Sequence, residues 1–66
     1  METYVHVYSL SFGEPEVRHV EVSSDLGVKS IAYFEAPFCH LADSLAADLA
    51  TVIGATLLHV PPRKDS

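Results

Sequence analysis

Between Phe38 and Val52 the large apolar residues fall at Phe38, Leu41, Leu45, Leu49 and Val52, at spacings of 3, 4, 4 and 3. That is the repeat of one helix face, and it is the clearest element in the chain. The remainder reads as strands and turns, so one amphipathic helix has to cover whatever sheet the other residues build. The chain has 66 residues, and a domain of that size buries only about 60% of the surface its unfolded form exposes. With one cysteine no internal disulfide can staple it, which fits a reducing compartment.

Thr3 to Phe12 alternates with polar residues and is rich in Val and Tyr, as a strand should be. Gly13-Glu14-Pro15-Glu16 supplies a turn, and Val17 to Ser23 reads as a second strand. If paired residue numbers sum to 27 or 29, Val5, Val7, Val20 and Val22 share one face. Tyr4, His6, Tyr8, Leu10, Val17, His19 and Glu21 then share the other. An even sum mixes the sets, and a slip of one residue turns every side chain over. The odd register is therefore expected. Ser24-Asp25-Leu26-Gly27 forms the next turn. Val28 to Glu35 is a third strand of imperfect alternation, because Lys29, Ile31, Tyr33 and Glu35 have one parity.

Pro37 suits the first turn of the helix, where its missing donor costs nothing. The outward face of that helix carries His40, Asp43, Ser44, Ala47, Asp48 and Thr51, while Ala42, Ala46 and Ala50 form a flank of small residues. Gly54 leaves two readings. As a left-handed cap it frees Thr56 to Val60 to be a fourth strand; alternatively the helix tolerates it, at about 1 kcal/mol, and runs to His59. The expected fold is α+β, a small antiparallel sheet with one packed amphipathic helix. Its order is β-β-β-α-β, with β-β-β-α and a longer C-terminal helix as the second choice. Residues 1–62 form one domain and 63–66, beyond Pro61-Pro62, a flexible tail.

The net charge is −5. Upstream of Pro62 the cations are Arg18 and Lys29, against Glu2, Glu14, Glu16, Glu21, Asp25, Glu35, Asp43 and Asp48. Such a surface repels phosphate chains and anionic membranes and attracts basic protein surfaces. Direct nucleic-acid binding and membrane association are not expected. METYVHV has neither a basic leader nor a signal-type apolar run, and a cytoplasmic protein is the simplest reading.

Chemistry-bearing spacings are weak. Cys39 and His40 are neighbours pointing about 100° apart on a helix, without the spacing of a metal site, so no metal and no cofactor are expected. Cys39 near a helix start has its thiolate favoured, yet a small thiol beside the alanine flank packs well. His40, Ser44 and Asp48 share the composition of a hydrolytic triad, but groups a helical turn apart stand about 6 Å from one another. An acidic, solvated helix face of His40, Asp43 and Asp48 is the plainer account. An enzyme is not expected.

The second hairpin face is the most informative surface. One helix covers one side of a sheet, which leaves Tyr4, His6, Tyr8, Leu10, His19 and Glu21 exposed or closed by another chain. Tyrosines and histidines around leucine bury area while keeping polar handles. The opposite packing, with the aromatics against the helix, remains an alternative. The expected function is a small acidic protein-binding module, an inhibitor or adaptor that occupies a partner surface, as a homo-oligomer. Two further readings stay open. One is a nucleic-acid-mimicking inhibitor of a host nucleic-acid-binding protein, of the kind a phage encodes against host defence. The other is a small-molecule-binding regulatory module with Tyr4, Tyr8 and His19 around the ligand.

Overall fold

The computed structural model describes residues 2–10 and 16–62, which hold four strands and one helix: β1 (Tyr4–Leu10), β2 (Val17–Ser24), β3 (Gly27–Glu35), α1 (His40–Ile53) and β4 (Thr56–Leu58). Phe12, most of the first expected turn and the tail expected at 63–66 lie outside the described residues. The strands form one sheet in the order β3-β2-β1-β4. Val5 stands opposite Val22, Val7 opposite Val20 and Tyr8 opposite His19. This is the odd register, and it places the valines under α1.

The sheet is mixed rather than antiparallel. β4 runs parallel to β1, with Thr56 beside Tyr4 and Leu58 beside His6. The reason is connectivity: after two reversals β3 points the same way as β1, and the helix carries the chain back so that the next strand starts in that direction again. Parallel neighbours need such a crossover.

The helix starts later than its proline. Pro37 follows Ala36 through a cis peptide bond, in a turn closed by the Phe38 N–H on the Glu35 carbonyl at 2.7 Å. Pro37 therefore serves the reversal out of β3, not the first helical turn. Gly54 ends the helix at φ 70°, and the Ala55 N–H reaches the Ala50 carbonyl at 2.8 Å. That left-handed geometry suits glycine. The fourth strand stops at Leu58 instead of Val60, because the chain bends away there.

The core is made of small residues. Val5, Val7 and Val20 pack against Ala42, Ala46 and Ala50. The leucine stripe was expected to face the sheet, but the alanine line does so, and the leucines flank it. Leu45 and Leu49 are half-buried, whereas Phe38 and Leu41 are exposed and Val52 is 80% exposed. Alanine brings the helix backbone close to the valines, and at that spacing there is no room for leucine on the centre line. Close packing of the valines on the alanines holds this layer together, and the larger residues are left overhanging at the sides.

β3 explains its own irregular pattern. Val20 pairs with Ala32 but Glu21 with Ser30, so Ile31 is an extra residue in a β-bulge. A bulge inverts the face parity of the strand on its far side. Lys29 therefore shares the helix side with Val22, while Tyr33 lies on the opposite side with His19.

Candidate protein-binding face

No described element lies across the outer side of the sheet. Tyr8, His19 and Tyr33 occupy successive positions on β1, β2 and β3 and form a row across it. Tyr8 and His19 stack with ring centroids 5.5 Å apart and an interplanar angle of 18°. His19 and Tyr33 are 6.1 Å apart and tilted by 36°. Offset and tilted rings at these separations attract through their quadrupoles. Tyr33, at the outer end, is 62% exposed, and Leu10 and Val28 are exposed on the same face.

The row has a carboxylate beside it. The Tyr8 hydroxyl donates to Glu21 Oε1 at 2.9 Å. Burial, the Glu21 hydrogen bond and the charge of Glu21, in that order, push the Tyr8 pKa up to about 12. At the rim the Tyr4 hydroxyl donates to Glu2, and that bond raises the Tyr4 pKa. The face carries Glu21 and Glu35, whereas Arg18 and Lys29 pair in register with Phe34 and Val22 on the helix side. Among the described residues, the formal charges of the outer strand positions are all negative.

His6 belongs to the interior. It is 4% exposed, although its strand position faces outward. The chain after β4 folds across it, with the Val60 carbonyl 3.1 Å from Nδ1 and Ser23 Oγ 2.6 Å from Nε2. A carbonyl can only accept, so Nδ1 carries a proton; in the neutral ring Ser23 then donates to Nε2. His6, expected to lie exposed on the candidate binding face, is instead buried and hydrogen-bonded. It supports the face without being on it.

On α1, His40, Asp43 and Asp48 are exposed, as are Ser44 and Thr51. Asp43 is engaged: Arg18 Nη2 and Nε donate to its Oδ1 at 2.8 and 3.2 Å. Arg18 Nη1 also donates to Ser9 Oγ at 2.7 Å, and Ser9 donates to Glu16. This chain of bonds ties the first helical turn to β1 and β2. No hydrogen bond joins His40, Ser44 and Asp48 among the described residues, and no three His, Cys, Asp or Glu there could hold a metal ion. Cys39 is half-buried, its thiol 3.6 Å from the Phe34 carbonyl.

An open groove of about 590 Å³ lies at the end of β3, lined by Tyr33, Phe34, Glu35, Ala36, Phe38 and Leu41. It is distinct from the Tyr4, Tyr8 and His19 site considered for a small molecule. Neither this groove nor the place of Tyr33 in the row was read from the sequence. The two-residue turn at Asp25-Leu26 puts Ala32 opposite His19, and only the bulge moves Tyr33 there. The one signal was the broken alternation of β3.

No helix among the described residues is long and apolar enough to cross a membrane. No protein-family model matches the chain, and neither a curated protein nor a solved structure shows significant similarity to it.

Proposed function

We propose that this chain is a small acidic protein-binding module that works as an inhibitor or adaptor, occupying a partner surface with the outer side of its sheet. The observation that carries the reading is the Tyr8–His19–Tyr33 row, half-buried at Tyr8 and His19, exposed at Tyr33, and accompanied by carboxylates alone. Aromatic rings are the side chains that most often anchor interfaces. With Glu21 and Glu35 beside them they suit a partner presenting arginine or lysine, which both the ring faces and the carboxylates attract. The protein acts in the cytoplasm, as an assembly of two copies, and performs no catalysis.

Charge mimicry of a nucleic acid is the weaker reading. Asp43 is paired with Arg18, and Glu21 and Glu35 lie on the outer sheet face while Asp48 is on the helix, so these carboxylates do not form one extended array. The two readings part in salt. Docking by the aromatic face is expected to retain the partner on an affinity column through about 0.5 M salt, where the Debye length has shrunk to about 4 Å. Release of the partner at moderate salt, with Tyr33→Asp binding as well as wild type, would refute the sheet-face reading.

A further inference from the structure

We propose that β3 pairs antiparallel with β3 of a second copy, about a two-fold axis near Ile31 and Ala32, to give one eight-stranded sheet. This deepens the proposed function and rests on its two-copy reading. β3 is exposed along nearly its whole length: seven of its nine residues are open to solvent, and only Ala32 and Phe34 are half-buried. It is also the outermost strand, so its outer backbone groups are unpaired within the sheet.

A bulge and a lysine usually deter foreign strands from such an edge. They do not deter this strand from pairing with itself. Because the bulge at Ile31 inverts parity, one register keeps both faces consistent along the full strand. It sets Val28 against Glu35, Lys29 against Phe34 and Ser30 against Tyr33, each residue meeting one of the same face. The charges agree, since Lys29 meets Phe34 and Glu35 meets Val28, so neither charge is set against its own equivalent.

The ends of the strand agree as well. Leu26, at the tip of the β2–β3 turn, is 88% exposed, the highest value of any large apolar residue described. The Phe34, Ala36, Phe38 and Leu41 groove lies at the opposite end of β3. A two-fold exchanges the ends, so each Leu26 arrives at the partner's groove. This is the reciprocity an isologous contact requires. The assembly also sets two aromatic rows on one continuous face, so a partner with two basic sites binds with avidity.

Sedimentation equilibrium of the full chain across concentrations tests the seam. Wild type is expected to dimerise. Because Glu35 also lines the groove, Leu26→Glu and Phe38→Lys are each expected to weaken dimerisation at least about tenfold, and an equimolar mixture to recover it as a heterodimer. In the mixture one site pairs the new charges and the other is native. A lost fold cannot produce that rescue, and the thermal transition of each variant serves as its control. A strictly monomeric wild type overturns both the seam and the two-copy reading. A dimer indifferent to Leu26→Glu and Phe38→Lys, or one weakened without rescue, overturns the seam. If Tyr8→Glu alone breaks such a dimer, the two-copy reading stands with its contact on the outer face.

Discussion

The two sides of the sheet are built from the same two strands, yet residues one position apart have opposite duties. The odd positions of β1 and the even ones of β2, Val5, Val7 and Val20, disappear beneath three alanines. Their neighbours on the other side, Tyr8 and His19, carry rings that stay partly open. The larger side chains are thus on the side without a helix. A chain under pressure only to bury area would put its rings inside. The difference places stability in the thin valine–alanine layer and is the ground on which recognition is proposed for the aromatic one.

Substitutions that move charge between the layers give the largest contrast. Val7→Asp is expected to abolish cooperative unfolding, because an unpaired carboxylate at a fully buried site costs several kcal/mol. Tyr33→Asp loses only the tilted contact with His19 and is expected to cost no more than about 1.5 kcal/mol. Urea titration followed by circular dichroism checks both. Equal losses would erase the division between the faces.

The second contrast lies within the helix. Ala46→Leu is expected to cost about 1–3 kcal/mol by forcing helix and sheet apart, whereas Val52→Ala is expected to change stability by less than about 0.5 kcal/mol. The reverse order would restore the leucine stripe as the packing face. His6 sharpens the boundary between the layers. His6→Ala leaves the Val60 carbonyl and Ser23 hydroxyl without their partner and is expected to cost about 1–3 kcal/mol. Amide exchange in residues 58–60 should rise with it.

What was legible in the sequence is what local forces decide. The parity of the hairpin register could be read because the four valines and the run of rings keep to separate faces only when paired numbers sum to 27 or 29; the structure takes 27. At Gly54 the sequence left two readings, a left-handed cap or a tolerated glycine in a longer helix, and the structure takes the cap. Three features depended on contacts between distant segments. The alanine line won over the leucines because the valines opposite are short, a property of the pair of surfaces rather than of the helix. Tyr33 joined the row through a bulge that parity only hinted at. His6 was buried by a carbonyl 54 residues away, which no local pattern of outward strand positions anticipates.

Smaller effects concern the ties between layers. The Arg18–Asp43 pair is partly exposed, so a double-mutant cycle is expected to return about 0.2–1 kcal/mol, fading with added salt. A coupling of zero would mean that the helix start is held by packing alone. One further effect appears only in alkali. The Tyr8 pKa is raised from 10.0 to about 12, so its neutral form stabilises the fold. That contribution is complete below the ordinary value of 10.0 and is lost as the pH climbs through the folded value. Absorbance titration should show a tyrosine ionising near pH 12, absent in Tyr8→Phe.

The assignment of recognition to the aromatic side is tested most directly by calorimetric titration of the co-purified partner against wild type, Tyr33→Asp and Asp48→Lys. Tyr33→Asp is predicted to lose at least about tenfold in affinity, or about 1.4 kcal/mol, while Asp48→Lys stays within about threefold. Undiminished binding by Tyr33→Asp together with loss in Asp48→Lys would move recognition to the helix and contradict the account.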